Sequence, residues 1–204
     1  MDKPGAIADQ SIGSFLDALA AAAATPGGGS ATALMGAMAA ALVGMVCGLS
    51  IERQPSAAAR DELAATLRRA QELRARLCSM IDADVAAFDA VMRAYALPKS
   101  GDADKAARSA AIQRALHEAT LAPLECARAC AEVMELARLV AQKGHTSAAG
   151  EAAVAALASQ AAVRCAALNV RINAGSIRDG VFVESTLGEL EGILRQCGGV
   201  DAGG

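Results

Sequence analysis

Apolar positions recur along this chain at three- and four-residue intervals almost from end to end, the period of a helix with one face in a core. Ser11 is placed to cap a first helix, with Ile12, Phe15, Leu16 and Leu19 on one stripe. Pro26 ends it, and Gly27, Gly28 and Gly29 turn the chain. A second helix is predicted from Ser30 to about Glu52, with Pro55 beyond it as a breaker. Ser56 opens a very long helix reaching about Leu97. Its stripe is Leu63, Leu67, Ala70, Leu77, Ile81, Phe88, Val91 and Tyr95, and its outer face is laced with charges such as Arg60, Glu62, Arg69, Glu72 and Arg76. Lys99 to Asp104 reads as a loop. A fourth helix is expected from about Asp104 to Thr120, kinked or restarted at Pro123 and continuing to about Gln142. Another runs from about Ser147 to Ile177, and a last one from about Ser185 to Gln196.

The second helix stands apart because no charged residue falls between Asp17 and Glu52. Ala31 to Leu49 is long enough to span a bilayer, and Gly36, Ala40, Gly44 and Gly48 form a small-residue row at i, i+4 spacing. Most of the segment is Ala and Gly, which contribute little to insertion, and no basic flank sets an orientation. A buried helix in a soluble bundle is the expectation, with no membrane partner.

Composition sharpens this picture. A chain of 204 residues makes one domain (1–204), with a tail from about 197 to 204 expected to be disordered. About a quarter of the residues are Ala, Trp is absent, and there are one Tyr and three Phe, so the expected fold is all-α, an antiparallel bundle of long helices. Few large side chains mean modest area per contact. Close helix approach over a large surface, including a subunit interface, compensates.

The net charge of −3, scattered basic residues and missing stacking aromatics argue against nucleic acid. Six cysteines sit on helical segments, and Cys126 and Cys130, one turn apart, match neither a redox nor a zinc spacing. Reduced structural cysteines in a cytoplasmic protein are expected. No basic stretch leads into an apolar core at the N-terminus, so no signal peptide is read there. His117 and His145 lack partners at metal-ligand spacing, and no metal is expected. No Ser-His-Asp order appears, and the glycine turn is no phosphate-binding Walker loop because no Lys-Ser/Thr pair follows.

Three places carry candidate chemistry. Gly27, Gly28, Gly29 and Ser30 put bare amide groups at a helix mouth, where Ser30 is expected to cap. Asp84 follows Ile81 and precedes Phe88 on the core stripe of the long helix, so its carboxylate must be paired, hydrogen-bonded or shifted in pKa. It either binds a neighbouring helix end or faces a pocket; Asp82 lies on another face of the same turn. Asn169 and Asn173, spaced i, i+4, either read a ligand or bridge helices, and Arg171 between them points elsewhere.

Thr25-Pro26-Gly27-Gly28-Gly29-Ser30 before an Ala-rich helix resembles the opening of the cyclodeaminase/cyclohydrolase family. Ile81 to Phe88 followed by Leu97-Pro98-Lys99 is similar to that family's Asp-containing segment. Pro123-Leu124 is similar to its helix restart, and Asn169-Val170-Arg171-Ile172-Asn173 to its Asn-rich segment. The resemblance spans about residues 10 to 195. It implies a homodimer with folate in a cleft near the subunit interface. It also implies hydrolysis of 5,10-methenyltetrahydrofolate or, alternatively, formation of the same methenyl compound by a cyclodeaminase. A non-catalytic helical dimer is the third reading. One departure stands out: Gly150-Glu151 occupies the place of the family's Ser-Asp, which makes Glu151 a candidate catalytic group beside Asp84 and Asp82. Lys99, Arg171 and Arg178 are candidates for the substrate's glutamate tail. The substrate's amidinium carbon is already electrophilic, so no cofactor is expected.

Overall fold

The computed structural model describes residues 6–198. A short 3-10 turn, Ile7–Asp9, precedes six helices: α1 (Ile12–Ala20), α2 (Gly28–Ile51), α3 (Ala57–Tyr95), α4 (Asp102–Lys143), α5 (Ala149–Ala174) and α6 (Gly180–Cys197). No strand occurs among the described residues. Short connections make α2 to α5 successive antiparallel neighbours, and α2 closes the ring by packing on α5. Helix α6 lies across α4 and α5, and the N-terminal turn lies on α3. The last residues of the tail, 199–204, lie outside the described residues.

The alanine content becomes close packing. Helix α2 buries Ala33, Gly36, Ala37, Ala39, Ala40, Val43, Val46 and Cys47, while α5 buries Ala152, Ala155, Ala156, Ala162, Ala166 and Ala167. Larger residues fill the other side of the core: Leu63, Leu73 and Leu77 from α3, Leu124, Val133 and Met134 from α4. Gly36 marks a close approach of α2 to α3 and α4. A Cβ there would meet Cys130 Sγ at 2.5 Å and both Leu77 methyls at 3.2 Å.

Hydroxyls inside the bundle are handled locally. Thr32, Ser50, Thr120 and Ser159 each donate to the carbonyl four residues back, at 2.7, 2.6, 2.7 and 2.8 Å. Among the described residues no buried side-chain polar atom lacks a partner.

Four boundaries differ from the sequence expectation. Helix α1, capped by Ser11 Oγ accepting from the Ser14 amide at 3.1 Å, ends at Ala20, well before Pro26. Of its stripe only Phe15 is buried; Ile12 and Leu16 face outward at 79% and 53% exposure. Helix α2 starts at Gly28 with Gly27 as its cap residue, so Ser30 lies inside the first turn and its own helix is not capped by its hydroxyl. Helix α4 runs unbroken through Pro123. Helix α6 begins at Gly180, because Asp179 Oδ1 accepts the Val181 and Phe182 amides at 3.1 Å each.

Two segments, Gly28–Ile51 and Thr146–Ala174, are long and apolar enough to cross a membrane, and each buries one face within the bundle. If Gly36 sets the spacing of α2 against α3 and α4, Gly36→Ala overpacks the core. We expect a loss of about 1–3 kcal/mol of stability, read as a lower urea midpoint at unchanged m-value.

Candidate active site at the N-terminus of α2

The first turn of a helix leaves amide groups without intrahelical acceptors. In α2 those belong to Gly28, Gly29 and Ser30, and Asp84 from α3 meets them. Its Oδ2 accepts from the Ser30 amide and from Ser30 Oγ, both at 2.8 Å. Ser30 Oγ also lies 3.4 Å from the Ile81 carbonyl. Asp84 therefore does for α2 what Ser30 was expected to do. Gly29 makes this possible: a Cβ on it would fall 2.1 Å from Asp84 Oδ1. Oδ1 itself has no hydrogen bond among the described residues.

Two cavities meet at Asp84. The first, about 220 Å³, is lined by Gly29, Ala33, Met80, Asp84, Pro123, Glu125 and Cys126 among others. The second, about 250 Å³, is lined by Asp84, Phe88, Val91, Leu116, Ala119, Pro123, Asn169 and Asn173. Asp84 and Pro123 form the wall they share.

Pro123 explains one of the two asparagines. Proline has no N–H, so the Ala119 carbonyl one turn earlier loses its helical donor. Asn173 Nδ2 supplies it across the helix interface at 2.7 Å. Asn169, one turn back on α5, is half-buried and its amide has no protein partner among the described residues. The pair thus divides into one bridge between helices and one amide open to the second cavity.

The other sequence candidates lie apart. Asp82 Oδ1 accepts the Ile7 amide at 2.9 Å and lines neither cavity. Gly27 is the cap residue of α2, and Gly28 has nothing within 4 Å of the position of a Cβ. Glu151 sits in the first turn of α5, eighteen residues and therefore about 27 Å along the helix from Asn169. Within one protomer it does not join Asp84. Arg171 pairs with Glu191 at 2.6 Å on the surface, and Lys99 is exposed in the loop after α3.

Sequence reading missed Pro123 as a cavity wall, and with it Glu125, which Arg76 and Arg128 hold from outside. It also missed Cys126, whose sulfur lies 4.0 Å from Cys130 Sγ. The hydrogen bond to Cys126, with burial, drives the Cys130 thiol far up, and burial raises Cys47 to about 11. These thiols stay protonated, and all six cysteines are free. Among the described residues no set of three His, Cys, Asp or Glu side chains is arranged to hold a metal.

Residues 11–192 match the formiminotransferase-cyclodeaminase family model. The chain belongs to the formiminotransferase-cyclodeaminase family. It is 49% identical to a methenyltetrahydrofolate cyclohydrolase of Methylorubrum extorquens, over 95% of this chain and 93% of that protein. It is 33% identical to the formimidoyltransferase-cyclodeaminase of Rattus norvegicus over 93% of this chain, which spans only 35% of the rat protein. The crystal structure of a formiminotetrahydrofolate cyclodeaminase from Thermotoga maritima superposes with a TM-score of 0.84 at 29% identity, covering 94% of this chain and 91% of that one. In this family member Gly29 lines the first cavity, Asn169 and Asn173 line the second, and Asp84 lines both.

The two asparagines separate in experiment. Asn173→Ala strands the Ala119 carbonyl and is expected to cost about 1–3 kcal/mol in thermal or urea unfolding. Asn169→Ala removes no protein bond, so it is expected to change stability by under about 0.5 kcal/mol and to weaken ligand binding instead.

Proposed function

We propose that this chain is a methenyltetrahydrofolate cyclohydrolase, adding water to the methenyl carbon of 5,10-methenyltetrahydrofolate to give 10-formyltetrahydrofolate. The observation that carries the reading is the open oxygen of Asp84. The carboxylate is fixed on one side by the amide and hydroxyl of Ser30, and its other oxygen is left without a protein partner at the junction of two cavities. The identity with the Methylorubrum enzyme along nearly its whole length supports the same reaction.

The chemistry asks for little beyond this. Water oxygen bonds to the electrophilic amidinium carbon and gives up a proton to Asp84 Oδ1. The resulting hydroxyl carbon collapses to a formyl group on N10, its O–H proton departs, the C–N5 bond breaks, and N5 takes a proton. One proton is released overall. General acid–base help of this kind contributes about 10²–10⁴-fold. Fixing Oδ2 leaves one oxygen in a single orientation, so no rotamer must be selected during the reaction. Asn169 then orients the ring system from across the second cavity. The step draws on no metal or redox group.

The cyclodeaminase reading differs only in expelling ammonia from the formimino compound to reach the same methenyl product; the Thermotoga and rat proteins favour it by their names. A purely structural role predicts that cavity polar groups are satisfied by the protein, and Asp84 Oδ1 and Asn169 have no such partner among the described residues.

The wider setting belongs to the same proposal: a soluble cytoplasmic homodimer with no nucleic-acid or membrane partner. Met38, Met45, Val154, Leu157, Leu168 and Ile172 form an exposed apolar face along α2 and α5, on which a second copy fits. Sedimentation should give twice 20.4 kDa, and Leu157→Glu with Ile172→Glu should halve it.

Following methenyltetrahydrofolate absorbance with pure protein tests the activity, and ammonia release from the formimino substrate separates the deaminase. Asp84→Asn keeps an acceptor for Ser30 and should fold with a near-normal circular dichroism spectrum. Its turnover should fall about 10²–10⁴-fold; full activity would refute the assignment.

A further inference from the structure

A third cavity, about 260 Å³, adjoins the second through Leu116. The three follow the groove between α3 and α4. From Pro123 to Arg108 the groove runs fifteen residues along α4, about 22 Å at the helical rise.

The outer cavity has its own chemistry. Two guanidinium groups, Arg108 and Arg178, line it and no carboxylate does. Hydrogen bonds hold both in place. Arg178 Nη1 donates to Ser109 Oγ at 2.8 Å, and the Arg178 amide donates to Gln113 Oε1 at 2.8 Å. Arg108 Nε and Nη2 donate to the Tyr95 carbonyl at 3.1 and 3.0 Å, where α3 ends and backbone acceptors are free. Its guanidinium also lies 5.6 Å from the Tyr95 ring centre.

Neither arginine forms an ion pair among the described residues, whereas Arg69, Arg76, Arg128, Arg138 and Arg171 each hold a glutamate. The adjacent carboxylate, Asp179, is committed to the first turn of α6. Arg108 Nη1 and the remaining Arg178 N–H groups have no acceptor among the described residues. Two fixed, unneutralised guanidinium groups in one hollow make a receptor for carboxylates.

We propose that Arg108 and Arg178 bind the carboxylates at the glutamyl end of the folate, which places the pterin toward Asp84 and the tail toward the end of α3. This rests on the folate reading above. Sequence reading named Arg178 beside Lys99 and Arg171 for this task, and Arg108 not at all. Of those three, Arg178 lines the cavity adjoining the site.

The test is calorimetric binding of pteroate, which lacks glutamate, against pteroylglutamate and its triglutamate. In the unmodified protein pteroylglutamate should bind at least tenfold more tightly than pteroate. In the double variant Arg108→Gln, Arg178→Gln that ratio should fall toward one. A ratio near one before mutation, or one that survives it, overturns the proposal, as does failure of every probe to bind. Arginine-dependent binding without hydrolysis would sink the cyclohydrolase reading and leave the carboxylate site standing. Hydrolysis with no preference for the glutamyl form would do the reverse. Should the double variant not fold, Arg178→Gln alone, together with p-aminobenzoylglutamate against p-aminobenzoate as competitors on the unmodified protein, makes the same comparison.

Discussion

One contact ties the molecule together: the carboxylate of Asp84 resting on the first turn of α2. It answers two separate demands. The amides of that turn need an acceptor, and a carboxylate on the inward stripe of α3 needs donors. A negative group at a helix N-terminus also sits favourably in the helix field, worth about 0.3–1 kcal/mol and more when partly buried. The contact fixes where α2 meets α3. That junction fixes the wall shared by two cavities, so the stability of the bundle and the placement of the site depend on the same pair of bonds.

How much of this the sequence shows depends on how local each determinant is. Helix number and type follow from 3.6-residue periodicity and alanine content, which act within a few turns. Ser11 as a cap follows from its own neighbours. Ser30 does not, because its role is decided by a side chain fifty-four residues away. Sequence marks Ser30 and Asp84 as odd but not as partners. Pro123 gives a similar lesson. Proline reads as a break, yet α4 carries on because the orphaned carbonyl finds a donor on α5. The two asparagines look equivalent at i, i+4; only the position of that proline separates them.

Small residues explain the rest of the architecture. Alanine and glycine bring α2 and α5 close inside the bundle, and Met38, Met45, Val154 and Leu157 remain exposed on the outward sides of those helices. At the far end of α3 the exposed Phe88 lines the second cavity and the exposed Tyr95 the third. Most of the ion pairs lie where α3, α4 and α6 meet solvent. There Arg69 grips Glu132 with two bonds at 2.5 and 2.7 Å, which holds that glutamate's pKa below its usual range. Such half-exposed pairs add little stability each. They do fix the register of α3 against α4 along the groove.

Pro123 and Asn173 form a single unit in space. Asparagine at 173 is worth its place only while residue 123 offers no N–H, and proline at 123 is tolerable only while an amide reaches across from α5. A lineage that loses the asparagine first crosses a valley of poor folding, while one that first exchanges the proline for an ordinary residue walks level ground. The order of change therefore matters: the proline must go before the asparagine can.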